Sequence, residues 1–350
     1  MKIQILAFLT TFLLCISCNN EDIPLIKKNS YDVYIGGVDN NKACYWKNGQ
    51  QIFVQGGENL VGTQIIVDNN DVYLFGTNIK ELNPKPAWYF WKNGVKHKVS
   101  EYLNTASDND FSLYSTMTVH NGDIYFLGMA TNPSSTSVMD RYHYCYWKNG
   151  VKTVLETLSA KMEIILNSGT HIFNNEVYSA VLKDTTLSPI PHWELGYYKN
   201  TAFNLLTNPN HHIPHDLIKD PSNPSQLYLI TKTNTYPLQH ISSIRNITSG
   251  NDIQIPANIL QSKINQVCFE GSDKYYIGKD FYYKNNTLVP MNTTGGFNNI
   301  GQFTVKDNNV YSTRTNATAT SVKFYINDVE TQSLPDMTKS GFNSIFVVKK

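Results

Sequence analysis

His211-His212-Ile213-Pro214-His215-Asp216 puts three imidazoles and a carboxylate within six residues. Both donor types bind zinc and similar ions, so His211, His212, His215 and Asp216 are the metal-site candidates. No periodic frame orients them and no second ligand group accompanies them, and a solvated loop accounts for the same residues, so no cofactor is expected. A second group mixes aromatics with a carboxylate: Trp88, Tyr142, His192, Trp193 and Glu194. Exposed rings beside acids can stack on sugars, and Glu194 with Asp216 could act as a glycosidase pair. Packing of Trp88 and Trp193 inside the fold is the competing reading. No Gly-rich phosphate loop, GxSxG elbow or HExxH is present. Without a catalytic constellation, a non-enzymatic binding module for a glycan, peptide or protein is expected. The alternative is a carbohydrate-active enzyme with carboxylates in a central channel.

The elements that must position these residues repeat. A polar, apolar, Tyr string recurs at Tyr34, Tyr73, Tyr125, Tyr178, Tyr228, Tyr276 and Tyr311, spaced by 39, 52, 53, 50, 48 and 35 residues. Inside these units runs Tyr45-Trp46-Lys47-Asn48-Gly49, then Phe90-Trp91-Lys92-Asn93-Gly94 and Tyr146-Trp147-Lys148-Asn149-Gly150, fading to Tyr-Tyr-Lys-Asn at 197–200 and 282–285. Asn-Gly between two strand patterns marks a two-residue hairpin, because both positions tolerate positive φ. The lysine, sitting at a hairpin corner, is expected to solvate the turn. A second tight turn lies upstream at Asn69-Asn70, Asn121-Gly122, Asn174-Asn175 and Asp307-Asn308.

Each unit is therefore four antiparallel strands. Seven such units predict an all-β, seven-bladed β-propeller over 31–350. Unit one begins at its second strand, Tyr31 to Gly36, and Phe342 to Val348 has the character of the missing first strand. The C-terminal strand thus closes the first blade and removes an open edge. The unit at about 226–255 has lost the aromatic marker and is the least regular. The variable connections gather on one face, where binding residues usually reside.

Lys+Arg at 29 against Asp+Glu at 28 gives no electrostatic reason to bind nucleic acid. A monomer is expected. Cys44 and Cys145 occupy equivalent places in two units, too far apart to bridge, so buried structural thiols are expected there. Met1 to Ser17 reads as an export segment, with Lys2 followed by an apolar run too short to span a bilayer. Ser17-Cys18 resembles the end of a bacterial lipobox, which implies acylation (palmitate or a related chain) at Cys18 and a lipidated tether over 18–30. Glu21-Asp22 resembles the surface-export signal of lipoproteins in Bacteroidota-type bacteria, and the aromatic-Trp-Lys-Asn-Gly pattern resembles repeat propellers in such lipoproteins. That resemblance implies an outer-membrane, cell-surface location, with the membrane as partner through the lipid anchor.

Overall fold

The computed structural model describes residues 31–79, 87–159, 164–184, 193–207, 212–234 and 239–350. The export segment, Cys18 and the tether, with His192 and His211, lie outside the described residues. The chain divides into a large unit, Val33–Val347, and a small one made of 1–32 and Val348–Lys350. In the small unit Lys350 Nζ lies 3.2 Å from an Asp32 carboxylate oxygen.

Seven antiparallel sheets form a ring, a β-propeller. Blade 2 shows the plan: Leu60–Asp68, Asp71–Asn78, Trp88–Lys92 and Val95–Lys98 lie side by side in chain order. Blade 1 combines Tyr31–Asp39, Lys42–Lys47 and Gln50–Glu58 with Gly341–Lys349 from the other end of the chain as first strand. In blades 3 and 4 the first strand is broken in two, at Ser112–Leu113 and Thr118–His120, and at Ile164–Asn167 and His171–Phe173. Blade 5 keeps three strands, and the place of its fourth is marked by one bridge, Ile244 to Ile253. Its hairpin is replaced by a turn in which Asn246 Oδ1 accepts from the amides of Thr248 and Ser249 at 2.9 and 2.8 Å. The following short helix, Ala257–Gln261, fills the gap with the fully buried Ile259.

The turn asparagines do more than permit the hairpin. Asn93, at φ 50°, accepts from the Val72 amide at 2.8 Å through its side chain and donates to Asp71 at 2.7 Å. Asn149 repeats this on Ile124 and Asp123, and Asn285 on Lys274 and Asp273. The marker lysine joins the same carboxylate, at 2.9 Å for Lys92 to Asp71, 2.7 Å for Lys148 to Asp123 and 2.8 Å for Lys284 to Asp273. Each also lies over the repeat tyrosine, Lys92 at 5.3 Å from the Tyr73 ring centroid. The lysine therefore ties two strands together and does not simply solvate the turn. Its ammonium first and the asparagine second hold Asp71, Asp123 and Asp273 below the ordinary carboxylate range. This contribution is full above the unfolded carboxylate pKa and is lost as pH falls through the lowered one. The lattice also corrects the register of blade 6. Tyr275, two residues after Asp273 and opposite Lys284, is the repeat tyrosine, and Tyr276 faces the other way.

Asn93→Ala is expected to cost about 2 kcal/mol, combining lost hydrogen bonds with a Cβ penalty at positive φ. Asn93→Gly, which relieves only the backbone, should cost about 1 kcal/mol. Urea-unfolding midpoints of the two variants check this, and equal midpoints would separate the turn from the side-chain bonds.

The core lies between neighbouring sheets. Trp147, Phe126, Phe90 and Met117 bury themselves between blades 2 and 3. Trp91 Nε1 crosses from blade 2 to the Gln55 carbonyl of blade 1 at 2.9 Å. Close approach of first and second strands needs glycine: a Cβ at Gly37 would stand 2.0 Å from the Gly341 oxygen, and one at Gly76 2.4 Å from that of Val61. Cys44 and Cys145 sit opposite Gly37 and Gly128, free and buried, as the sequence led us to expect, and burial pushes both thiols up to about 12. The half-buried Cys268 is also free.

Candidate functional site

The tight hairpins leave one face of the ring short, so the longer connections emerge on the other. The aromatics anticipated there are placed at the starts of third strands. Tyr142 is only 7 % exposed, packed with Leu127, Leu158 and Tyr198, so the exposed stacking ring expected at that position is absent. Burial happens because Tyr142 shares the face of its strand with Tyr144, which fills the gap between blades 3 and 4. Trp88 is half-buried, edge-on to Phe111 with centroids 5.9 Å apart. Trp193 is half-buried against Leu195, Ile213 and Leu217, and its indole Nε1 has no protein partner among the described residues. Glu194 lies on the third strand of blade 4, whereas Asp216 is on the first strand of blade 5. The two carboxylates therefore stand on different blades and at different depths in their sheets.

The histidine cluster is partly drawn into the sheet. His215 falls where the register slips between Pro214 and Asp216, the extra residue of a bulge. It is solvent-accessible but crowded by protein, and desolvation, then the Lys232 ammonium, pushes its pKa well down. His212 is lowered by desolvation and then by Arg245. Asp216 pairs with His171 Nε2 of the neighbouring blade at 3.0 Å. Among the described residues, no three His, Cys, Asp or Glu side chains are grouped to hold a metal ion.

Two features carry residues that the sequence did not single out. The first is the loop over 132–141 between the second and third strands of blade 3. Asp140 organises it, accepting from Ser135 Oγ at 2.9 Å, the Ser137 amide at 3.0 Å and Ser137 Oγ at 3.2 Å. These bonds, Ser135 first, lower its pKa and keep the carboxylate ionised. Asn132 closes the base by donating to the Asp140 carbonyl at 2.7 Å, while its amide reaches the Arg141 carbonyl at 3.0 Å. The fixed loop holds up one 3-10 turn, Val138–Asp140, leaving Val138 72 % and Met139 66 % exposed. Ser137-Val138-Met139-Asp140 is a capping box in the sequence, and that signal could have found the turn.

The second is a cavity of about 640 Å³ on the ring axis. Its wall comes from the first strands of blades 7, 1, 2, 3 and 4 and the residues leading into them, and presents Gln64, Thr118, His171, Gln302, Asn343 and Ser344. Among the described residues Asp68 is the sole carboxylate in this lining, and its oxygen is engaged by the Gly122 amide at 2.6 Å.

Fold and lining together define a seven-bladed propeller with a polar axial cavity and a loop-bearing face. No protein-family model matches the chain, and no curated protein matches it. Among solved structures it is similar to Pyrococcus horikoshii acylaminoacyl peptidase in an orthorhombic crystal form, at 12% identity and TM-score 0.52, covering 89% of this chain and 51% of that one. The uncomplexed form of that enzyme gives 12% identity and TM-score 0.52 over 87% of this chain and 50% of that one. The chain thus spans about half the length of these structures. At such identity the likeness concerns the propeller fold alone.

Proposed function

We propose that the protein is a non-catalytic binding module of the bacterial outer membrane, held at the cell surface by an acylated Cys18, which takes a partner protein on its loop-bearing face. The observation that carries the reading is the loop over 132–141. An exposed valine and methionine stand side by side at the tip of an otherwise polar loop, an apolar pair that a partner surface would bury. Their support is fixed before binding, which lowers the ordering cost of association. Methionine adapts to varied partner surfaces. Rim groups lie close by, with the Arg141 guanidinium 5.7 Å from the Tyr142 ring. The anchoring half of the proposal rests on the sequence, where Ser17-Cys18 ends an export segment.

The test uses the acylated domain immobilised with its face free and challenged with solubilised envelope proteins. Val138→Asp with Met139→Asp should weaken capture of the specific partner at least tenfold, about 1.4 kcal/mol. The melting temperature should stay put, since both side chains point to solvent. Equal capture by both forms would sink the docking role. Mass spectrometry of the mature N-terminus tests the anchor separately, and an unmodified Cys18 would remove it.

A further inference from the structure

We propose that the axial cavity is a second, separate binding site and that its ligand is a neutral, hydroxyl-rich carbohydrate. Its volume of about 640 Å³ falls within the range of small-molecule sites, about 300–1,000 Å³. Charge narrows the ligand first. Among the described residues the lining holds no lysine or arginine, so a phosphate, sulfate or uronate would meet no compensating cation there. A polycation finds only Asp68, at the hairpin end of its strand and already bonded to the Gly122 amide. The histidines are accounted for as well: His171 is paired with Asp216 at 3.0 Å, and His120 Nε2 lies 3.1 Å from Asn121 Nδ2.

Hydrogen-bonding capacity narrows it further. Gln64 Oε1 is buried in this wall with no partner among the described residues. A buried polar atom left unpaired is destabilising, and a ligand hydroxyl that reaches this side chain would relieve it. The orientation of a glutamine amide is itself assigned from its partners, and a hydroxyl, which both donates and accepts, satisfies it either way. Asn343 donates to the Gly62 carbonyl at 2.8 Å, which fixes its amide with the oxygen as the remaining acceptor. Ser344 Oγ accepts from the Ile65 amide at 2.8 Å, leaving its proton to give. The wall therefore offers fixed acceptors and donors side by side.

Apolar surface completes the match. The half-buried Ile66, Val119 and Phe346 stand among the polar residues around the cavity. A sugar ring has hydroxyl edges and C–H faces, and a wall of mixed character suits both. A peptide would need its amides paired in series along one strand edge, whereas the polar side chains here are spread over five blades.

The test titrates the folded domain with neutral trisaccharides (cellotriose, maltotriose, xylotriose and mannotriose) up to 10 mM by calorimetry. Trigalacturonate, trilysine and a neutral Ser-Gly tetrapeptide serve as charged and peptide probes. At least one neutral sugar should bind saturably, and Gln64→Leu should weaken it tenfold or more. Gln302→Ala, on a residue with more exposure, is the second variant should Gln64→Leu disturb folding. The Val138→Asp, Met139→Asp domain should bind the sugar as the wild type does. The absence of binding by all four sugars, preference for the tetrapeptide or a charged probe, or unchanged affinity in both cavity variants would overturn the proposal.

Discussion

Deleting Gly341–Lys350 is expected to leave a chain that no longer unfolds cooperatively. The deleted segment is the first strand of blade 1, so its loss exposes the inner edge of Tyr31–Asp39. It also opens the seam with blade 2. The Asn343 amide would no longer donate to the Gly62 carbonyl at 2.8 Å, nor Ser344 Oγ receive the Ile65 amide at 2.8 Å. Phe342, 6 % exposed and edge-on to Trp46 with centroids 4.8 Å apart, would leave a hole in the core shared with blade 7. Removing a buried phenylalanine alone costs about 3–5 kcal/mol, and the lost strand ladder adds to it. A folded domain holds only about 5–15 kcal/mol in reserve. Circular dichroism during urea titration should show a broad, shallow transition for the truncated chain. Adding the peptide 341–350 should sharpen it, since an open edge accepts a strand. A truncated domain with the original midpoint and steepness would show that the ring does not depend on this closure.

Closure was legible because the sequence carried its local causes. Blade 1 opens on a second strand, and Phe342 to Val348 reads as a first strand without neighbours. The turns were legible for the same kind of reason: Asn48-Gly49, Asn93-Gly94 and Asn149-Gly150 all have positive φ, a demand few residues meet. The repeat tyrosine of blade 6 was misread, because Lys274-Tyr275-Tyr276 offers two candidates by pattern alone. Asp273 decides between them, through Lys284 and Asn285, and that preference is visible only when strands are side by side. Tyr142 illustrates a harder limit. An aromatic at the start of a strand looks the same in sequence whether it meets water or the next blade, and here the next blade supplies Tyr198. A central channel was expected with the propeller, but the polar lining of the cavity could not be read. Its wall takes Gln64, Thr118, Gln302 and Ser344 from different blades, and no spacing in the sequence groups them.

Asp328→Asn is expected to cost about 3 kcal/mol by stranding a buried cation. In blade 7 the place held by Gly37, Gly76 and Gly128 in blades 1 to 3 is taken by Arg314, which is fully buried. Each of its three nitrogens donates a hydrogen bond. Nε donates to Ser312 Oγ at 3.2 Å, one terminal nitrogen donates to the Asn292 carbonyl at 3.1 Å, and the other donates to Asp328. The Tyr325 ring covers it with the centroid 4.4 Å away. Asp328 also accepts from the Asn292 amide at 3.2 Å, so a single carboxylate binds both the arginine and the connection from blade 6. Asparagine keeps the shape, an acceptor oxygen and tolerance of the φ of 64°, and loses only the charge. Alanine would lose all three and should cost more. Because Asp328 is itself 31% exposed, water recovers part of the loss on its side but none on the arginine's. The effect should therefore shrink when the cation is removed: in Arg314→Met, adding Asp328→Asn should cost about 1 kcal/mol or less. Urea midpoints of the four proteins give the coupling directly. A coupling near zero would mean that the serine, carbonyl and ring suffice to hold the guanidinium, and that the ion pair is not what lets blade 7 dispense with glycine.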